Sequence, residues 1–240
     1  MVAKPDLGSG VARRESSSLS GVTMIIHFIW VGSGEIPQPF LSNLEEFKQT
    51  NPHEEILEWR DETLLPLLEK YGRRDLYNIS SIFHKLQLAR YTVLDEYGGL
   101  YTDYDVYWKK PILECLGDRI NSDFSVIQRK SVYFYKAPQS WPKLRSQENQ
   151  VIKTILLDDF VLFAKPGITN NFLNFSIERA LDPTRLKDNQ TEPFSVYSLT
   201  EWVLSLNLNV QYFLPSEIYN DESCTLGYHD NKKSWEILNK

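Results

Sequence analysis

The segment 97–111, YGGLYTDYDVYWKKP, sets Asp103 and Asp105 two positions apart, with Tyr101, Tyr104 and Tyr107 close by. They form the only Asp-x-Asp pair in the chain. In an extended segment residues i and i+2 point to one side. Both carboxylates can therefore aim at one point, with Tyr104 on the opposite face. Two hard oxygen donors with coordination positions to spare suit Mg²⁺ or Mn²⁺, whose remaining positions phosphate oxygens would fill. A third charged group comes from the preceding run, SSIFHKLQLARYTVLDEYGG. At about 100° per residue, Ile82, Leu86, Ala89 and Val93 share a stripe flanked by Phe83, Leu94 and Tyr97, and Arg90 falls inside that apolar arc. An inward-pointing guanidinium needs an anion, from the protein or from a ligand. The helix ends just before Asp103, so one guanidinium and two carboxylates reach one neighbourhood, an arrangement suited to a metal-bound phosphate. The competing reading of a bare Asp-x-Asp is a solvated turn. Against it stand the buried helix, the Gly98-Gly99 break, the strand-like Leu100-Tyr101 and the apolar Val106.

The elements that must position these groups read as α/β. IIHFIWV (25–31) is a continuous apolar, β-branched run ending at Gly32-Ser33-Gly34, as expected of a buried parallel strand. Pro37 and Pro39 lead into a helix from about Phe40 to Lys48. A second strand is expected over Glu54–Trp59, and a helix capped by Asp61 runs to about Tyr71. Ser80 or Ser81 caps the Arg90 helix and Gly98-Gly99 ends it. Strand, helix, strand, helix in this order predicts a parallel sheet. Further strands are expected at Phe124–Gln128, Val132–Tyr135, Phe160–Ala164 and Val210–Leu214, with helices at about Asn170–Ala180 and Val196–Ser205. Residues 136–150 and 182–194 read as surface loops, where acceptor recognition could lie.

Composition narrows the function classes. The 240 residues are 42% apolar and 24% charged, enough for one substantial core. A net charge of −6 argues against a broad electrostatic grip on nucleic acid or anionic lipid. No apolar run approaches the roughly 20 residues that span a bilayer. Cys115 and Cys224 alone imply no disulfide framework and read as reduced thiols in a cytosol. The polar opening, residues 1–23, lacks the apolar core of a secretory signal. It is expected to be a disordered tail or a cloning scar, followed by one folded domain over 24–240. A soluble, cytoplasmic protein is therefore expected. The sequons at Asn78, Asn174 and Asn189 would matter only in a secretory pathway.

Three blocks, IIHFIWVG, ARYTVLDEYGGLYTDYDVY and the late YHDNKKSW, resemble the Asp-x-Asp sugar-binding glycosyltransferase superfamily. That superfamily includes the yeast initiating α-1,6-mannosyltransferase, capsular polysaccharide transferases and the glucosyltransferase domains of large clostridial toxins. The resemblance runs in order through nearly all of residues 24–235. It implies a single-domain GT-A-type fold, a Rossmann-like mixed sheet flanked by helices. It also implies retaining transfer of a hexose from a nucleotide-diphosphate sugar to a glycan or protein hydroxyl, aided by Mn²⁺ or Mg²⁺. UDP-glucose or UDP-galactose is favoured, because the first block reads closest to the toxin-type Trp motif.

The same resemblance assigns roles residue by residue. Trp30 would stack on the nucleotide base, with Val31 beside it at the strand end where open α/β sheets bind ligands. Arg90 and Tyr101 would lie near the donor diphosphate and sugar. Asp103 would meet the ribose and sugar hydroxyls or reach the metal through water, Asp105 would ligate the metal directly and His229 would complete the site. Ser234 and Trp235 would close over the diphosphate. Asp158 and Asp159, in DDFVLFAKPG, correspond to a block close to the transferring sugar; a helix end meeting a strand is the competing reading. Two departures stand out. Gln87 occupies the position of a family Asp that binds sugar hydroxyls, and a Gly-Pro element is missing around Ser195–Thr200. The alternatives are a nucleotide-sugar hydrolase using the same site, or a non-catalytic nucleotide-sugar-binding module, for which Gln87 is the clue.

Overall fold

The computed structural model describes residues 23–136, 151–181, 196–205, 208–219 and 222–230. Residues 1–22 of the expected tail lie outside the described residues. So do 137–150 and 182–194 of the expected loops, and Asn189, Ser234 and Trp235.

The strands β1 (Ile25–Ile29), β2 (Glu55–Trp59), β3 (Gly99–Thr102), β5 (Phe124–Lys136), β6 (Val151–Ala164) and β7 (Val210–Phe213) form one sheet. Its order is β2-β1-β3-β6-β5-β7. β1 runs parallel to β2 and β3, β6 runs antiparallel to β3 and β5, and β5 is parallel to β7. The sheet is therefore mixed, as the resemblance implied. Helices α1 (Gln38–Thr50), α2 (Asp61–Lys70), α3 (Arg74–Ile79), α4 (Ile82–Tyr97), α5 (Ile112–Leu116), α6 (Asn170–Leu181) and α7 (Val196–Ser205) accompany it. A smaller three-stranded sheet, β4-β9-β8, joins β4 (Val106–Trp108), β9 (Gly227–His229) and β8 (Ile218–Tyr219).

Side-chain alternation along the strands feeds two cores. Ile29, Val31, Tyr101 and Leu162 pack into one apolar cluster with α2, α4, α6 and α7. Ile26, Phe28, Trp30, Leu100 and Val161 pack into a second with α1 and α5. Both faces of β1 are thus covered, which is why its sequence reads as an unbroken apolar run.

α4 begins at Ser81, whose hydroxyl accepts the His84 N–H at 3.3 Å, and ends at Gly98. Every residue from Leu86 to Asp95 is buried, so the single apolar stripe expected from the sequence is too narrow. The helix touches β1, β3 and β6 and also α2, α3 and α6. Two of its buried polar positions are satisfied within the protein: Thr92 donates to the Leu88 carbonyl at 2.6 Å, and Asp95 accepts the Asn170 N–H at 2.8 Å. At its end Gly98 and Gly99 take φ values of +64° and +92°. A Cβ on Gly99 would lie 2.2 Å from the Ile25 carbonyl oxygen, so only glycine lets α4 turn this tightly into β3.

Three local expectations change. Asp61 is not the cap of α2; that position is Arg60, and Asp61 instead accepts the Gly32 N–H at 3.0 Å and the Tyr77 hydroxyl at 2.6 Å. The two strands expected at 124–128 and 132–135 are one, β5, interrupted by a register shift between Gln128 and Val132. β6 begins far before Phe160, so Asp158 and Asp159 lie within a strand and not at a helix end. A second register shift falls there, since Ile127 pairs with Asp158 while Val126 pairs with Leu162. Bulges of this kind re-aim side chains and are frequent beside functional sites.

Candidate active site

Asp103 and Asp105 lie in a turn and not in the extended segment that the i, i+2 argument assumed. The Val106 N–H donates to the Asp103 carbonyl at 3.2 Å, closing the turn, and the Asp103 N–H donates to the Phe160 carbonyl in the β6 bulge at 2.9 Å. Both carboxylates still converge, because Tyr104 between them is drawn into the core against the rings of Phe28 and Trp30, at 5.1 and 5.9 Å. From α1, the buried Asn43 amide donates to the carbonyls of Tyr104 and Val106 at 2.8 and 2.9 Å. The turn is thus pinned from below. It is not the solvated turn of the competing reading: Asp105 is 1% exposed.

β4 carries the chain away from the turn and pairs with β9, setting Val106 opposite His229. The Asp230 N–H donates to the Asp105 carbonyl at 2.9 Å, and the His229 ring stacks on Phe160 with centroids 4.3 Å apart. One ligand atom each from Asp103, Asp105 and His229 lie within 4.8 Å of one another. His229 Nε2 stands 3.2 Å from Asp105 Oδ1, yet that buried oxygen has no hydrogen-bond partner. The contact is an ion pair when the imidazole is protonated. A buried carboxylate oxygen without a hydrogen bond is costly. A divalent cation bound by this oxygen and the neighbouring imidazole would satisfy it, so the residues present fit such an ion.

Arg90 meets this cluster from α4. Its Nη1 donates to the Asp159 carbonyl at 2.7 Å and pairs with Asp159 Oδ1 at 2.7 Å, while Nη2 donates to Asp103 Oδ1 at 3.2 Å and to the Tyr101 hydroxyl at 3.0 Å. The guanidinium also lies 4.4 Å from the Tyr101 ring centroid. Tyr101 donates to Asp103, and Tyr91 donates to Asp159 Oδ2 at 3.3 Å. The Nε of Arg90 is buried without a partner, as is Oε1 of Gln87. Gln87 lies one helical turn before Arg90, on the same side of α4. Burial pushes the Asp103 carboxyl up to about 6, with Asp105 adding to the effect and Arg90 opposing it. Burial would lower the His229 imidazole, but Asp105, Asp103 and Asp158 outweigh it and raise the group above its ordinary value. Burial likewise raises Asp158, against the opposing Arg129 guanidinium.

The structure thus brings together Arg90, Tyr101, Asp103, Asp105, Asp159 and His229. Trp30 and Val31 are 3% and 2% exposed. Trp30 donates its Nε1–H to the Gly34 carbonyl at 2.9 Å and supports Tyr104 from the core, so here it underpins the turn and presents no open face for a base. Asn43, Tyr91 and Phe160 also belong to the site, and no motif in the sequence points to them. Asn43 alone left a trace, a polar residue on the buried stripe Phe40, Leu44 and Phe47 of α1.

Residues 27–126 match the family described as the glycosyltransferase sugar-binding region containing DXD motif. Over that segment the chain is similar to the DXD glycosyltransferase family. The segment holds the DXD turn, α4 with Arg90, β3 and the last three residues of β1; Asp159 and His229 come from beyond it. No curated protein matches the chain in sequence. Among solved structures, PaToxG glycosyltransferase aligns over 78% of this chain and 72% of that chain, at 14% identity and a TM-score of 0.42. Among the described residues no helix is long and apolar enough to cross a membrane.

Proposed function

We propose that this protein is a metal-dependent, retaining hexosyltransferase acting on a nucleotide-diphosphate sugar, with UDP-glucose or UDP-galactose favoured, and on a glycan or protein hydroxyl. The observation that carries the proposal is the convergence of Asp103, Asp105 and His229 to within 4.8 Å, with Asp105 almost wholly buried. Asp105, Asp103 and His229 would hold Mn²⁺ or Mg²⁺, which when bound supplies charge to neutralise the departing diphosphate. Arg90 keeps its Nε–H for a diphosphate or sugar oxygen, and Gln87 keeps Oε1 for a sugar hydroxyl. Tyr101 and Asp159 orient Arg90. With its carbonyl and both carboxylate oxygens engaged by Arg90 and Tyr91, Asp159 serves better as a brace than as a nucleophile. The acceptor hydroxyl is then left to attack from the face that the diphosphate leaves. Ser234 and Trp235, just beyond β9, are assigned to closing over the diphosphate and excluding water.

A thermal-shift panel of nucleotide sugars with Mn²⁺ tests this reading. UDP-glucose or UDP-galactose should raise the melting temperature, and a chelator should remove the rise. Product analysis then separates the outcomes. Sugar found on an added acceptor supports transfer, UDP released equally without acceptor marks a hydrolase, and binding without UDP release marks a binding module. No shift with any nucleotide sugar would refute the proposal.

A further inference from the structure

The two register shifts in the β5–β6 pair lie only two paired positions apart, Ile127 with Asp158 and Gln128 with Leu157. The β6 shift frees residues 159–161 from β5, while β3 still pairs with Val161, and it supplies the Asp159 groups that hold Arg90 and the Phe160 carbonyl that holds Asp103. The β5 shift frees residues 129–131. From it Arg129 reaches across, its Nε 2.6 Å from Asp158 Oδ2. The other Asp158 oxygen accepts the Asp159 N–H at 3.1 Å. A continuous series of charge-assisted contacts therefore runs from Arg129 through Asp158 and Asp159 to Arg90, and from Arg90 to Asp103. Its inner end is buried, while the Arg129 side chain is 34% exposed.

We propose that Arg129 is a positioning residue of this site, acting on Arg90 through Asp158 and Asp159. β3 still holds one edge of these residues, through the Thr102–Val161 pairing and the Asp103 N–H on the Phe160 carbonyl. On the β5 side the bulge has lost its ladder bonds, so that side needs another contact. Arg129 supplies it from the neighbouring bulge. Without that guanidinium, the buried Asp158 carboxylate loses the cation it is directly bonded to, and its side chain turns toward water or another donor. The Asp159 N–H then loses its acceptor, and the double grip of Asp159 on Arg90 loosens. Arg129 itself is bonded to Asp158 and not to Arg90 or the carboxylates of the DXD turn, so its effect is transmitted.

The ligand consequences rest on the glycosyltransferase reading; the effect on Arg90 does not. Two readouts keep them apart. In ¹H–¹⁵N spectra of the ligand-free protein, with the Arg90 Nε–H signal assigned by Arg90→Lys, Arg129→Met should shift or broaden that signal. Lys165→Ala, which removes the exposed Lys165–Asp123 pair, should not. By calorimetry, Arg129→Met should weaken UDP binding in the presence of Mn²⁺ by about tenfold or more. Adding it to Arg90→Lys should cost little further, because both act through one group. Arg129→Met/Asp158→Asn leaves no unpaired buried charge, guards against simple misfolding, and should show the same signal shift. An unmoved Arg90 signal in both Arg129 variants would overturn the inference, as would full additivity with Arg90→Lys. Absence of UDP binding by the wild-type protein would count against the proposed function, and the Arg90 signal would still decide the role of Arg129.

Discussion

At the scale of residues, the candidate site is a set of buried polar groups that local sequence exposes unevenly. Asp103 and Asp105 stand out by spacing, and Arg90 by its place in an apolar arc. These are local signals that any fold would have to explain. Asp159 and His229 are different, because their roles depend on a strand bulge and on the β4–β9 register, which no short window of sequence encodes. Asn43 shows the energetic side of the same point. Its amide satisfies two main-chain carbonyls beneath the DXD turn. Asn43→Leu should therefore cost about 1–3 kcal/mol by leaving them unpaired, read as a lower urea midpoint. Mn²⁺ binding should weaken with it as the turn loosens. An unchanged midpoint would mean that the turn holds itself. Gln87→Leu should leave stability nearly intact and weaken nucleotide-sugar binding while sparing UDP, if its open oxygen serves the sugar; equal loss for both ligands would assign it elsewhere.

At the scale of elements, the first half of the chain was legible and the second half less so. β1, β2, α1 and α4 announce themselves by apolar runs, prolines, a serine cap and a glycine stop. Short pieces such as α3, α5, β8 and β9 carry too few residues for a period to show. β6 was read too short because its polar middle, Asp158-Asp159, interrupts the apolar pattern where the site needs carboxylates. The DXD segment was read as extended when a turn does the work, since Tyr104 drops into the core and so throws its neighbours outward together. The Gly98-Gly99 joint offers a sharp test. Gly99→Ala meets both a forbidding φ and the Ile25 carbonyl, and should cost about 3 kcal/mol or more. Gly72 also has positive φ but has open space around a Cβ, so Gly72→Ala should cost only about 1 kcal/mol. Similar losses at both sites would show that the close approach at Gly99 is unimportant.

At the scale of the molecule, two cores clamp one mixed sheet, and His27 sits where β1, β2 and the end of α4 meet. Its Nε2–H donates to the Gly98 carbonyl at 2.7 Å and its Nδ1 accepts the Trp59 Nε1–H at 3.1 Å, a pairing that only the neutral ring can make. Burial lowers it to about 4 from 6.5, opposed by the Gly98 carbonyl. Between those values the unfolded chain binds a proton that the folded chain refuses. The His27 contribution is thus complete above about pH 6.5 and is lost toward pH 4, by about 3 kcal/mol. Asp103 has the opposite sign. With its folded value raised to about 6 from 3.8, its share of stability is lost as pH rises through that window. The two oppose each other in the wild-type protein, so the His27 share is read by difference. Relative to wild type, His27→Gln should gain stability progressively from pH 6.5 to 4 in urea titrations. A constant difference would place the charged ring in the folded state.

The same scale holds the central claim, because Arg90, the DXD turn, the β6 bulge and β9 are brought together only by the complete fold. Crystals soaked with Mn²⁺ and a UDP-sugar, measured at the manganese absorption edge, test it most directly. The account predicts one strong anomalous peak about 2.0–2.2 Å from an Asp105 oxygen and from His229 Nε2, with the diphosphate on its far side toward Arg90. A peak elsewhere, or none while the donor is bound, would contradict it.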